Sequence, residues 1–187
     1  MLERVTTNCA MKYDFNQNFF ELFGFQPAYK LDLDQLDKTY RDMQSQVHPD
    51  KFAHLGDAER RLSMQWATLA NEAYQTLKKP INRARYLLQL HNVETQEETN
   101  TAMPAEFLMQ QMELREAVMD AKMAHDLVAL EQVESELKGE IKALQSLLGQ
   151  QLDVEADYQG AAQNVRKLRF LEKLVSEIND AYEAMDS

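Results

Sequence analysis

On either side of Val47-His48-Pro49-Asp50-Lys51-Phe52 the apolar residues recur at helical spacing, and this pattern constrains the fold more than any other feature. Before it, Leu36, Tyr40, Met43 and Val47 fall on one helix face; after it, Leu62, Trp66, Leu69, Ala73 and Leu77 do the same. Asp32 suits an N-cap, Gln35 stands at the reciprocal third position, and Leu31 and Leu36 are spaced as a hydrophobic staple. Pro49 ends the first helix, because it disfavours the α conformation for His48 and fixes its own φ. The second begins after Gly56-Asp57, carries Lys78-Lys79 at its negative end and stops at Pro80. Two antiparallel helices joined by a short, stiff turn are therefore expected over residues 32–79.

The rest of the chain also reads as helix. A short aromatic helix is expected over Asn16–Gly24, stopping at Gly24, and another over Arg83–Leu90. Residues 92–102, NVETQEETNTA, hold one apolar residue larger than alanine and show no period, which marks a linker. Three longer helices follow. The first starts near Pro104, a favoured first helical position. The second carries Leu130, Val133, Leu137, Ile141, Leu144 and Leu148 and ends at Gly149. The third starts after Asp153 and buries Tyr158, Ala161, Val165, Leu168, Val175 and Tyr182. No period-2 strand and no internal repeat are present. The expected fold is all-α: an extension over 1–15, a helical-hairpin domain over 16–91, the linker over 92–102, and a three-helix bundle over 103–187.

Charge and cysteine content exclude several functions. Thirty-one acidic against twenty basic side chains give a net charge of −11, which repels nucleic acid and anionic membranes at long range. Cys9 is the single cysteine, so no internal disulfide and no cysteine-rich zinc site can form. The first residues lack an apolar run long enough for a signal peptide, and no later stretch would span a membrane, so a soluble cytoplasmic protein is expected.

His48-Pro49-Asp50 admits three readings. As a metal or acid–base site, His48 and Asp50 would join His54 and Asp57, but this spacing matches none of the helix-based zinc motifs. A stiff exposed turn also offers little burial with which to tune a pKa. No phosphate-binding Gly-Lys-Ser/Thr loop is present either. As a plain turn, Pro and Asp would need no further explanation. The third reading, a contact surface for another protein, draws on context: the tripeptide tips a hairpin with two clean apolar faces, after an aromatic helix.

Together these residues resemble a J-domain, the co-chaperone module that stimulates ATP hydrolysis by DnaK-class chaperones. The resemblance implies a chaperone-binding set of His48, Pro49, Asp50 and Lys51, with Lys38 and Arg41 on the preceding helix. Asp50 would accept a charge-assisted hydrogen bond from a basic side chain of the chaperone, and Pro49 would hold the loop in shape. Catalysis would belong to the partner. J-domains usually present a strongly basic second helix, whereas here Asp34, Asp37 and Asp42 offset Lys38 and Arg41. A weak salt dependence of docking is expected in consequence.

Residues 107–116, FLMQQMELRE, add a client-binding candidate. On a helical wheel Phe107, Leu114, Val118 and Ala121 form one stripe; Leu108, Met112, Met119 and Met123 form a second, with Met109 beside it and Glu113, Glu116 and Asp120 at its border. A helix in a three-helix bundle touches two neighbours, so period alone is equally consistent with both stripes being core. The chemistry tilts the balance, since five of the ten methionines lie between Met103 and Met123, and flexible thioethers suit adaptable binding surfaces. Phe170 lies far round its helix from the core stripe, either tucked against a neighbour or exposed for a partner. Arg166, Arg169 and Lys173 make a local basic face, read as ordinary solvated surface.

The order of J-domain, RARYLLQLH, FLMQQMELREAV and VRKLRFLEKL resembles the HscB family, co-chaperones of iron–sulfur cluster assembly, over residues 17–185. The resemblance implies that the C-terminal bundle binds the cluster scaffold protein while the J-domain engages a specialised DnaK-class ATPase, without a bound cofactor or metal. Leu108, Met109, Met112 and Phe170 would form the apolar scaffold contact, with Glu113, Glu116 and Arg115 as its polar participants. Some eukaryotic relatives carry paired cysteines ahead of the aromatic helix for a metal; with Cys9 alone, that site is not expected here. The extension over residues 1–15 either has a function of its own or is shortened to residues 11–15 if translation begins at Met11. Two rivals stand beside this reading: a J-protein of general proteostasis, and a small metal-dependent hydrolase using His48, Asp50, His54 and Asp57.

Overall fold

The computed structural model describes residues 17–47, 56–97 and 103–185, and they form helices and no strands. The expectations on residues 1–15, on His48, Pro49, Asp50 and Lys51, and on His54 lie outside the described residues. The chain divides into two units, Met1–Pro27 with Asp32–Leu77 and Ala28–Leu31 with Lys78–Ser187.

In the first unit, α1 (Phe19–Leu22) is held by a reciprocal capping box in which Asn18 accepts from two backbone N–H groups and Glu21 accepts from the Asn18 N–H. Asn18 and Glu21 stand three apart, a signal present in the sequence but not read there. Gly24 follows with a φ of 75°, so the expected stop is where the chain needs a left-handed residue. Helix α2 (Leu33–Val47) starts on Asp32, whose carboxylate accepts from Gln35 N at 3.0 Å. Only half of the expected box forms, because the Gln35 amide turns to Thr39 instead.

Helix α3 (Asp57–Lys78) runs antiparallel to α2. Asp37 meets Tyr74 and Tyr40 meets Asn71, so steps forward on one helix match steps back on the other. The Tyr40 and Tyr74 rings stack with centroids 3.9 Å apart, and Phe23 meets Tyr40 edge-on. Phe20, Leu36, Met43, Trp66, Ala73 and Leu77 are buried. The expected face of α3 is turned slightly: Ser63 and Ala70 are buried with Trp66, whereas Leu62 is exposed and Leu69 half-buried. Ser63 can go inward because its hydroxyl donates to the Arg60 carbonyl.

In the second unit, Pro80 starts α4 (Pro80–Leu90) as well as closing α3, so this helix is three residues longer at its start than expected. Helices α5 (Ala105–Ala124), α6 (Leu127–Gln150) and α7 (Tyr158–Met185) make the bundle, and α4 packs on α7. Phe107 meets Phe170 and Arg115 meets Glu177, so α5 and α7 run parallel, as an up-down-up arrangement requires.

Two expected boundaries move. Helix α6 does not end at Gly149; it continues to Gln150 and then widens into a π-turn, Gln151–Glu155. Gly149 is buried where Tyr29 and Lys30 lie close, and a Cβ there would meet Tyr29 Cδ1 at 3.4 Å. Asp157, not Asp153, starts α7, accepting from Gly160 N at 3.0 Å. Asp153 serves another purpose: its carboxylate accepts from the backbone N–H groups of Tyr29 (2.6 Å) and Lys30 (2.9 Å). Buried Arg83 completes this clasp by donating to the Tyr29 carbonyl at 2.7 Å. Burial pushes the Tyr29 phenol up to about 12, a shift that nearby Asp153 reinforces and Arg83 opposes.

Candidate functional site

Helix α5 is apolar on two sides, and the bundle uses only one. Phe107, Leu114, Val118 and Ala121 are buried against α6 and α7, each large member contributing about 1.5–3 kcal/mol. The second stripe faces water: Leu108 is 38% exposed, Met109 61%, Met112 69%, Met119 62% and Met123 71%. An apolar row of this length is the sort of patch that marks a contact surface. The reading in which both stripes are core therefore does not hold for this helix.

The border of the stripe is acidic, with Glu113, Glu116 and Asp120 all exposed. Arg115 is engaged at the bundle surface, its Nε donating to the exposed Glu177 carboxylate at 3.0 Å. Phe170 is half-buried, its ring edge-on to Phe107 with centroids 6.2 Å apart and Lys173 above it. Both alternatives for Phe170 are thus partly realised, since one edge packs on α5 and the remainder is open. The structure places Phe170 beside Phe107, the buried residue that precedes Leu108 in the chain.

Gln111 points into the bundle between Phe107 and Leu114. It is 1% exposed, and neither amide atom has a hydrogen-bond partner. A buried amide in that state costs roughly 1–3 kcal/mol, so the helix beneath the methionine face is less stable than its apolar packing would allow. The wheel gave Gln111 no role, because a polar residue inside an apolar face is invisible to periodicity.

On the other candidate surface, Lys38 and Arg41 are both exposed on α2, and Arg41 Nε donates back to the Asp37 carbonyl at 3.1 Å. The Asp37 carboxylate accepts from the Tyr74 hydroxyl at 2.9 Å and is half-buried, so one of the three offsetting acids faces α3 rather than the cationic side. Of the metal-site rival only Asp57 is described, within 3.8 Å of Arg60. Among the described residues no group of His, Cys, Asp and Glu could hold a metal ion. No described helix is long and apolar enough to cross a membrane.

Residues 103–179 match the family described as the HSCB C-terminal oligomerisation domain. The chain is 53% identical over 175 residues to a co-chaperone protein HscB homolog of Chromobacterium violaceum, covering 94% of this chain and 99% of the relative. It is 46% identical over 177 residues to the homolog of Azoarcus sp. strain BH72, covering 95% and 100%. The structure of the chaperone HscB from Vibrio cholerae superposes with a TM-score of 0.81 at 34% identity, covering 90% of this chain and 99% of that one.

Proposed function

The chain belongs to the HscB co-chaperone family, and on that premise we propose how its two surfaces divide the work. It is a co-chaperone of iron–sulfur cluster assembly that stimulates ATP hydrolysis by a partner chaperone, so it is a regulator rather than an enzyme. The partners in this reading are an HscA-class, DnaK-type ATPase and the cluster scaffold protein, met in the cytoplasm.

Residues 16–91 supply the J-type contact. Its contact set is His48, Pro49, Asp50 and Lys51, with exposed Lys38 and Arg41 as its cationic flank. Residues 103–187 supply the client contact through Leu108, Met109, Met112 and Phe170, bordered by Glu113 and Glu116. Arg115 holds α5 to α7 through Glu177 and so positions that face. The observation that carries the reading is the outward methionine row of α5, which the bundle leaves uncovered. A ternary complex follows by linkage: a scaffold bound to this chain and to the chaperone raises the local concentration of each for the other.

Replacing Leu108, Met109 and Phe170 together with alanine is the test. Scaffold affinity measured by calorimetry is expected to fall by roughly a hundredfold, the loss of two or three apolar anchors. J-type stimulation of the chaperone alone should survive. Unchanged affinity would take the client surface away from α5. An unfolded client bound as tightly as the scaffold would favour general proteostasis.

A further inference from the structure

A groove of about 1180 Å³ lies between Val93–Glu97 and α7, larger than the roughly 300–1,000 Å³ typical of small-molecule sites. Its walls carry Arg85, Arg166, Arg169 and Lys173 against Glu94 and Glu97, with Phe170 at its edge. In a chain of net charge −11, four cations against two carboxylates is a local reversal of sign. The basic face read from the sequence as ordinary surface is one wall of this groove.

The groove is preformed. Arg85 hydrogen-bonds both carboxylate oxygens of Glu97, Thr95 donates to the same carboxylate at 2.8 Å, and Arg166 Nη1 donates to the Thr95 carbonyl at 2.9 Å. Asn92 and Gln96 turn the segment in left-handed conformations, with φ of 57° and 51°. Arg85 is matched by Glu97, on which the charge of Arg169 also acts, and Arg166 is tied to the Thr95 carbonyl, while Glu94 is exposed on the Val93–Glu97 side of the groove. Arg169 and Lys173 are exposed, and among the described residues neither makes an ion pair.

We propose that this groove receives an acidic, extended segment of the same client that docks on α5, an inference that rests on the α5 reading. Phe170 is the link: it lines the groove, and its ring packs on Phe107 at the start of the methionine row. The client is then gripped by two regions of opposite charge, the acidic border of α5 and the basic groove. That arrangement sets the direction in which the client lies as well as its affinity. A peptide suits the site better than nucleic acid, whose phosphates would meet the field of a strongly acidic chain beyond three or four cations.

The test uses the full chain and purified scaffold protein. Affinity is measured between about 50 and about 200 mM salt for wild type, for Arg169→Glu with Lys173→Glu, and for Met109→Ala with Met112→Ala. Hydrogen exchange of the Val93–Glu97 amides is followed with and without scaffold. The charge reversal is expected to weaken binding roughly tenfold at the low-salt end and to flatten its salt dependence. The α5 variant should also bind weakly but keep a wild-type salt dependence, and scaffold should slow exchange at Val93–Glu97. A charge-reversed protein that binds with wild-type affinity and salt dependence, while the α5 variant is weak, overturns the groove proposal and leaves α5 standing. An α5 variant that binds normally brings down the underlying reading, and the groove proposal with it. Slowed exchange with a short single-stranded oligonucleotide but not with scaffold assigns the groove to nucleic acid and overturns the proposal.

Discussion

The two faces of α5 are built from similar residues and put to opposite uses. Phe107, Leu114, Val118 and Ala121 vanish into the bundle, while Leu108, Met109, Met112, Met119 and Met123 stay in water. Both faces satisfy the same helical period, so periodicity says that each is apolar but not that each is covered. Side-chain chemistry separates them. The inward face is mostly branched, aromatic or small, and packs to fixed shapes; the outward face is mostly methionine, which adapts to a partner. A core wants definite volumes, and a docking surface tolerates flexible ones.

The largest effect should come from truncating one residue on each face. Leu114→Ala is expected to cost about 2–5 kcal/mol of unfolding free energy in urea, as a buried cavity does. Met112→Ala should stay within about 0.5 kcal/mol of wild type while weakening scaffold binding. Equal losses of stability would abolish the distinction between the faces.

A smaller effect of opposite sign sharpens it. Gln111 interrupts the inward face with two unpartnered amide atoms. Gln111→Leu should therefore raise stability by about 1–3 kcal/mol without changing the outward row. A loss of stability would mean that the amide makes a contact the packing depends on.

The smallest effect concerns the segment beside Phe170. Burial pushes the Glu97 carboxyl up, but hydrogen bonds from Arg85 and Thr95 and the charges of Arg85 and Arg169 outweigh it and hold the group below its ordinary value. A depressed pKa in the folded state contributes stability above the unfolded carboxylate range, and that contribution is lost as pH falls through the folded value. Protection factors of the Val93–Glu97 amides should accordingly drop at acid pH. Glu97→Gln should start lower and lose this pH dependence; an unchanged acid response would place its origin elsewhere.

The positions of the helices were largely legible, because spacing, caps and prolines act locally. Asp32 as an N-cap and the buried row of α5 behave as their neighbours in the chain imply. The misreadings share a cause, which is a partner distant in sequence. Gly149 looked like a helix stop because its true constraint, the approach of Tyr29 and Lys30, comes from more than a hundred residues away. Asp153 looked like a cap because nothing nearby announces that it binds the backbone at Tyr29 and Lys30. The groove was hidden for the same reason: Arg166, Arg169 and Lys173 acquire meaning only once Val93–Glu97 is laid against them. The methionine row was legible from its chemistry, and its exposure needed the structure.

The central claim is that stimulation and client capture reside on separate surfaces of one regulator. Single-turnover ATP hydrolysis by an HscA-class chaperone, with and without scaffold, tests it most directly. Wild type should accelerate hydrolysis, and scaffold should accelerate it further. His48→Gln should do neither, whereas the alanine variant at Leu108, Met109 and Phe170 should keep the first acceleration and lose the second. A His48→Gln protein that accelerates hydrolysis like wild type would contradict the account, because the His-Pro-Asp tripeptide would then have no part in stimulation.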